Sequence, residues 1–200
     1  MDMYKAEERY GVKFPRKFRE LYESGVMEWM ENSQKDYRAV YAKYKDVPSA
    51  FCYQLAADFE PFFFEEMNMS NLEDYLEMTE EYDKKKLAER YKLVPFGQVQ
   101  NGDIYCFLYD SESEDIKVVL VWHDGNCEVQ LLGNDFDEFL YWVMLNAADW
   151  DEDIEGDVWK AHLEYLSPEY REKISGKTAD DLKDEFESFP EEMIDIFVDM

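Results

Sequence analysis

The sequence has little basic charge and no long apolar run. Its 200 residues carry 21 Lys and Arg against 48 Asp and Glu, a formal net charge of −27. Such a surface repels phosphate, which excludes nucleic-acid binding through a basic face and disfavours anionic membranes. No stretch approaches the roughly 20 apolar residues of a membrane-spanning helix, and no basic start followed by an apolar stretch opens the chain. We therefore expect no membrane insertion and no secretory signal.

The residues and motifs that carry most enzyme chemistry are also scarce. Cys52, Cys106 and Cys127 show no CxxC spacing, which favours free thiols in a reducing cytoplasm. His123 and His162 form no HxxxH or HExxH pair, and the 8 glycines form no GxSxG elbow or GxGxxG loop. A catalytic histidine or cysteine stays open but is disfavoured, because cysteine in a strand usually serves as a small buried hydrophobe. We expect no enzyme activity, no metal and no cofactor.

The chain nevertheless has the composition of a folded protein. Hydrophobic residues make up 46% of it and aromatic residues 17%, whereas disordered acidic segments are poor in aromatics. The charge is unevenly spread: residues 1–45 have a net charge of +2 and residues 46–200 a net charge of −29. Residues 149–200 alone hold 5 Lys and Arg against 18 Asp and Glu. We expect a folded core under a negative surface.

Hydrophobic periodicity predicts an α+β fold, a central mainly antiparallel sheet of about four to six strands with helices packed around it. The first domain is expected at 1–148, and an acidic, helical C-terminal extension at 149–200. Phe62-Phe63-Phe64 is open to interpretation as a buried strand. Strands are predicted at 92–96, 104–109, 117–122 and 127–132, and helices at 15–24, 28–44, 71–78, 79–91, 134–146 and, after 149, around Trp159, from Pro168, from Thr178 and from Pro190.

One acidic run has the spacing of a metal loop. Asp151, Asp153 and Glu155, followed by Gly156, resemble the start of a calcium-binding loop. In that register the closing carboxylate position falls on His162, which is not a hard oxygen ligand. Chance acidity is the favoured interpretation, and calcium binding stays open.

Four short motifs follow one another in residues 4–146. They are Glu8-Arg9-Tyr10-Gly11-Val12-Lys13-Phe14-Pro15, Val94-Pro95-Phe96-Gly97 with Asn101-Gly102-Asp103-Ile104-Tyr105, Val119-x-Val121-Trp122-His123-Asp124, and Asn134-Asp135-Phe136-Asp137-Glu138-Phe139-Leu140. In this order they resemble the motifs of the SUKH superfamily. The resemblance implies an α+β fold without catalytic residues and a cytosolic immunity role, binding and neutralising a cognate toxin domain, often a nuclease. It assigns nothing to residues 149–200.

The acidity fits such a partner, because an enzyme that binds a polyanion usually has a basic surface and a carboxylate array imitates phosphate. We therefore expect an immunity protein that binds a basic toxin through acidic residues. The alternative is a regulatory or scaffold interaction module with no toxin partner. The residues expected to bind the partner are Asp103, Asp110, Glu112, Glu114, Asp115, Asp149, Asp151, Glu152, Asp153, Glu155 and Asp157.

Overall fold

A computed structural model describes residues 1–44, 46–50, 59–67, 85–99, 101–122, 129–149 and 154–199. The α-helices in this part are α1 (Met3–Tyr10), α2 (Arg16–Glu23), α3 (Tyr37–Tyr44), α4 (Phe136–Asp149), α5 (Asp157–Leu163), α6 (Pro168–Ile174) and α7 (Ala179–Glu187). The strands are β1 (Phe59–Pro61), β2 (Lys85–Leu87), β3 (Tyr91–Val99), β4 (Ile104–Asp110), β5 (Ile116–Val121), β6 (Val129–Gly133), β7 (Glu192–Met193) and β8 (Phe197–Asp199). Two 3₁₀ turns, Glu28–Glu31 and Gln34–Asp36, precede α3.

Six of the strands form one antiparallel sheet in the order β1-β3-β4-β5-β6-β7. Strands β3 and β4 are joined by a short turn in which Gly102 has a φ of 107°, a conformation that glycine adopts without steric cost. Strands β2 and β8 form a separate antiparallel pair. The predicted α+β fold with a mainly antiparallel sheet is confirmed.

An aromatic core packs α2 and α4 against one face of this sheet, called the front face here, to which Phe96 and Phe107 point. The rings of Phe96 and Phe107 stack with centroids 4.3 Å apart. Phe18 of α2 contacts both Phe107 and Phe136, with centroids 5.2 Å apart in each pair, and Phe139 of α4 lies 5.4 Å from Phe96. Aromatic pairs of this kind add about 0.5–1.5 kcal/mol each beyond the area that they bury. The helix predicted at 134–146 is therefore present as α4, and it buries Phe136 and Phe139 against the sheet.

The back face of the sheet is covered by the C-terminal end of the chain. Ile196 and Phe197 are buried in a second apolar cluster that includes Cys106 and Leu108 of β4. The carbonyl of Ile196 accepts a 2.9 Å hydrogen bond from the amide of Ala88, beside β2. Burial raises the pKa of the Cys106 thiol well above its usual value, so Cys106 serves as the buried hydrophobe that its position in a strand predicts.

Two helix ends confirm signals that are visible in the sequence. Helix α1 ends at Gly11, which has a left-handed φ of 61° and whose amide bonds to the carbonyls of Glu7 and Glu8. Helix α7 begins after Thr178, whose hydroxyl accepts from the amide of Asp181 while the Asp181 carboxylate accepts from the amide of Thr178. This reciprocal capping box satisfies two amides that the helix itself leaves unpaired.

The predicted helix at 28–44 is wrong over its first half. A 3₁₀ turn ends at Asn32, which is extended and whose side-chain amide donates to the carbonyl of Trp29 at 2.7 Å. Trp29 and Met30 are buried in the core, and the carbonyl of Met30 accepts from the amide of Phe64 at 2.9 Å. This contact with a distant part of the chain takes a carbonyl that a continuous helix would use internally.

The predicted helix from Pro190 is also wrong, because the last residues form β7 and β8. Strand β7 pairs with β6 through Gln130 and Met193.

The helix predicted at 79–91 is wrong over β2, which pairs with β8 and places Lys85 opposite Asp199. Residues 79–84 of that prediction, and the whole helix predicted at 71–78, lie outside the described residues.

The aromatic run Phe62-Phe63-Phe64 is not a strand. Strand β1 ends immediately before it, at Pro61, and the run leads into a turn. Phe63 and Phe64 are buried in the core. The apolar run therefore reports burial and not strand formation.

The junction between β6 and α4 makes a testable prediction. A Cβ at Gly133 would lie 2.7 Å from the amide nitrogen of Phe139 and 2.8 Å from the carbonyl oxygen of Asp135. Gly133→Ala should therefore lower the free energy of unfolding by about 3 kcal/mol, since helix backbone has to shift. The measurement is urea denaturation. Gly176→Ala is the control: its Cβ meets nothing within 4 Å, so only the left-handed backbone costs about 1 kcal/mol. Equal losses in the two variants would contradict this account.

Candidate interaction surface

The hairpin loop Asp110–Asp115, between β4 and β5, is held by one arginine. The guanidinium of Arg90 donates to both carboxylate oxygens of Asp110 and lies 2.8 Å from Glu112 Oε2. The hydrogen bond from Arg90 holds the pKa of Asp110 below its usual value. Asp110 Oδ1 also accepts from the amide of Glu112 at 3.0 Å. Two predicted partner-binding residues are thus charge-compensated within the protein and shape the loop.

The outer half of the hairpin loop presents its carboxylates to solvent. Glu114 and Asp115 are exposed and make no ion pair with any residue that the structure describes. The amide of Asp115 donates to Ser113 Oγ at 3.1 Å, and the amide of Ser113 donates to the carbonyl of Asp110 at 3.1 Å. These bonds order the loop, so two uncompensated carboxylates are displayed on a fixed backbone.

Asp103 lies in a different environment from the other predicted residues. Its side chain is only 8% exposed. Its Oδ2 accepts from the side-chain amide of Asn101 at 2.8 Å, and its own amide donates to Asn101 Oδ1 at 3.0 Å. The structure therefore places Asp103 within the β3–β4 turn, where it caps the turn and offers little surface to a partner.

The C-terminal run, residues 149–157, is described only at its two ends. Asp149 is the half-buried last residue of α4, while Glu155 and Asp157 are exposed. Asp157 is the first residue of α5, where a carboxylate interacts favourably with the helix dipole. Asp151, Glu152 and Asp153 lie outside the described residues, so calcium binding by this run stays untested. No group of His, Cys, Asp or Glu side chains in the described part of the chain could hold a metal ion.

The hairpin loop and the end of α4 lie at opposite ends of the sheet. The first turn of α4 packs beside the middle of β4, with Phe136 and Phe107 centroids 5.7 Å apart. Later in α4, Trp142 packs against Tyr105 at the start of β4, with ring centroids 6.3 Å apart. Helix α4 therefore runs antiparallel to β4 and carries Asp149 away from the hairpin loop. The predicted acidic residues that the structure describes therefore lie in separate patches and not in one cluster.

Glu7, which the motif did not single out, is a buried carboxylate with several partners inside the protein. Its side chain is 2% exposed. Its carboxylate accepts from the amide of Phe14 at 2.9 Å and from Lys13 Nζ at 2.8 Å, and Arg19 Nε lies 3.3 Å away. The neighbouring Glu8, which the motif does include, is exposed. Helical spacing is the signal that finds Glu7, because it shares the buried face of α1 with Met3 and Ala6.

The end of α1 and the turn after it are also hydrogen-bonded to the sheet and to the segment after β1. The Tyr109 hydroxyl donates to the carbonyl of Lys13 at 3.0 Å, and burial raises the pKa of Tyr109. Lys92 Nζ donates to the carbonyl of Tyr10, whose hydroxyl donates to the carbonyl of Phe64 at 2.7 Å. Residues of the first motif therefore connect the end of α1 to strands β3 and β4.

The first motif, the turn before β4 and the start of α4 are thus all structural features of one α+β core. The sequence model of the SMI1 / KNR4 family (SUKH-1) matches residues 2–142, which contain them. The chain belongs to the SUKH-1 family. This confirms the resemblance that the four motifs predict. SUKH domains are toxin-immunity and interaction domains and are generally non-catalytic.

The SUKH-1 match ends inside α4, so α5 to α7, β7 and β8 lie beyond it. No curated protein and no solved structure matches the chain significantly. Within the described residues, no helix is both long and apolar enough to span a membrane.

The segment beyond the SUKH-1 match contains a buried histidine. His162 of α5 is nearly fully buried, and its Nδ1 lies 2.9 Å from the carbonyl of Val158. Burial lowers the pKa of His162 to about 4, the Val158 contact opposing that shift. Next to it, the Tyr165 hydroxyl donates to the carbonyl of Ser49, which docks the extension on the SUKH-1 core. An uncharged His162 is thus part of this docking region.

Glu7 should contribute measurably to stability. Glu7→Gln removes the charge that pairs with Lys13 and Arg19 and weakens the bond to the Phe14 amide. We expect the free energy of unfolding to fall by about 2 kcal/mol, less than for a fully buried pair because Lys13 is exposed. Urea denaturation measures this. Glu8→Gln makes the same charge change one residue away on an exposed side chain and should cost less than about 0.5 kcal/mol. Similar losses in both variants would overturn the assignment.

His162 should make stability depend on pH. Between its folded pKa of about 4 and the ordinary value of 6.5, the unfolded chain binds a proton that the folded chain does not. The stability that His162 confers is therefore full above pH 6.5 and is lost towards pH 4, by about 3 kcal/mol in all. His162→Phe should remove this part of the pH dependence in urea denaturation, whereas His123→Gln should leave it in place. Parallel pH profiles for the native chain and His162→Phe would refute the prediction.

Proposed function

We propose that this SUKH-1 protein is a cytoplasmic, non-enzymatic immunity protein that binds and neutralises a cognate toxin domain. The partner is basic, and a nuclease is the toxin class that fits the charge best. Membership of a family of toxin-immunity and interaction domains supports the first part of this proposal. The net charge of −27 supports the second, because a basic partner is attracted to it and nucleic acid is repelled.

The observation that carries the proposal is the ordered acidic hairpin loop. Arg90 compensates Asp110 and Glu112 and fixes the loop, while Glu114 and Asp115 are exposed on it. Fixed carboxylates lose little conformational entropy when a basic partner binds them. Exposed charges of this kind mainly raise the association rate, by about 10 to 10³ in steered complexes. Fast capture suits an inhibitor whose target damages the cell that contains it.

The remaining predicted residues divide by position. Asp110 and Glu112 would act by shaping the hairpin loop, and Asp103 by shaping the β3–β4 turn. In the C-terminal run, Glu155 and Asp157 are the exposed candidates for a second contact. Because this run lies beyond the SUKH-1 match, it would adapt the shared core to one particular partner.

Charge reversal tests the hairpin loop directly. The double variant Glu114→Lys and Asp115→Lys should weaken protection of cells that co-express the toxin encoded by the adjacent gene. At low salt, the double variant should associate with the purified toxin domain roughly tenfold more slowly than the native chain does. The matched control is Glu172→Lys with Glu187→Lys, which makes the same charge change at two exposed residues of α6 and α7.

Comparing the two double variants separates the effect of the hairpin loop from the effect of net charge. Loss of protection by the loop variant alone, at unchanged melting temperature, is the expected outcome. Full protection by both variants would remove the hairpin loop from the interface. A folded native chain that neither binds the neighbouring toxin nor protects against it would favour the alternative, a regulatory or scaffold module.

A further inference from the structure

Helices α5, α6 and α7 enclose an open groove of about 410 Å³. Every residue that lines it lies between Ile154 and Leu182, beyond the part of the chain that matches SUKH-1. Its volume is in the range of small-molecule sites, about 300–1,000 Å³. The groove is therefore an addition to the shared core that is large enough for a ligand.

The floor of the groove is apolar. Trp159, Ile174 and Leu182 form it and are almost entirely buried, and Ile154 and Leu163 continue it as half-buried side chains. An aromatic and aliphatic floor of this kind favours the apolar body of a ligand. The floor gives no reason for a ligand to be charged.

The rim of the groove, unlike its floor, carries charged side chains that favour a charged ligand. Lys160, Arg171 and Lys177 line the groove with a single carboxylate, Glu164. Arg171 Nη1 lies 3.0 Å from Glu164 Oε2, and Lys177 pairs with Glu185 from outside the lining. After these pairs are counted, the charge of Lys160 is uncompensated. Lys160 is exposed and makes no ion pair with any described residue.

This rim stands out against its surroundings. Residues 149–200 carry 18 Asp and Glu but only 5 Lys and Arg, and three of those five lie on the groove. A ligand here meets local positive charge in a segment that is otherwise strongly negative. That combination selects an anion over a cation at short range, because charges more than about 8 Å away are largely screened in physiological salt.

The mouth of the groove is open beside Ser175 and Gly176. Both residues line the groove and are exposed to solvent. A small molecule can therefore enter without movement of a helix.

We propose that this groove binds a small organic carboxylate, with its aromatic or aliphatic body on Trp159, Ile174 and Leu182 and its carboxylate at Lys160. The carboxylate also approaches Arg171, whose guanidinium shares its charge with Glu164. This site is separate from the acidic hairpin loop and does not depend on toxin binding.

The test uses 4-phenylbutyrate and its uncharged analogue 4-phenylbutyramide, which share one apolar body. Each is titrated into the full-length, ¹⁵N-labelled protein, and the backbone amide signals of Lys160, Ser175 and Gly176 are followed by NMR. We expect saturable shifts with the carboxylate and roughly fivefold weaker binding of the amide, as for loss of one exposed ionic contact. Lys160→Glu should weaken 4-phenylbutyrate binding by at least as much. Lys35→Glu, an exposed lysine of the 3₁₀ turn before α3, is the matched control and should bind like the native chain.

Three results with the ligands and the Lys160→Glu variant would overturn the proposal, and a fourth comes from the control. They are the absence of saturable shifts at these amides, equal binding of the acid and the amide, and unchanged 4-phenylbutyrate binding by Lys160→Glu. Equal weakening by Lys35→Glu would also overturn it, because the effect would then come from net charge and not from the groove. The native spectrum of each variant, recorded without ligand, shows that the fold is intact.

Discussion

The buried carboxylate of Glu7 fixes the geometry on which the SUKH-1 core is built. It binds the amide of Phe14 and the ammonium of Lys13 and lies beside Arg19, so it joins α1, the following turn and α2. A buried charge is tolerated only where such partners surround it. Because α2 is held in this way, Phe18 reaches the aromatic core between the sheet and α4. The segment from Glu7 to Arg19, which overlaps the first motif, therefore connects α1 to α2.

Local signals in the sequence were enough for elements that depend on neighbouring residues. The helix predicted at 134–146, the strand predicted at 104–109 and the helix predicted from Thr178 are each present in the structure. The elements that sequence reasoning missed depend on distant partners. Strands β7 and β8 exist because β6 and β2 pair with them. Their apolar residues have a spacing that also suits a helix, and no local pattern identifies the pairing partner.

The candidate site shows the same division. Acidic composition and the position between two strands predict Glu114 and Asp115 as partner contacts, and both side chains are exposed in the structure. Composition could not show that Arg90 compensates Asp110 and Glu112, since 20 residues separate Arg90 from Asp110. Nor could it show that Asp103 is buried in its turn or that α4 carries Asp149 away from the hairpin loop. A net charge is a property of composition, whereas a binding surface needs the fold.

The proposed function requires an acidic surface on the SUKH-1 core to capture a basic toxin domain. The association rate constant of the purified pair, measured by stopped-flow fluorescence from about 50 to about 500 mM salt, tests this requirement, because salt screens the attraction between charges. We expect the rate constant to fall by roughly 10 to 10³ across this range, while the stability of the free protein changes little. A rate that does not change with salt would contradict it.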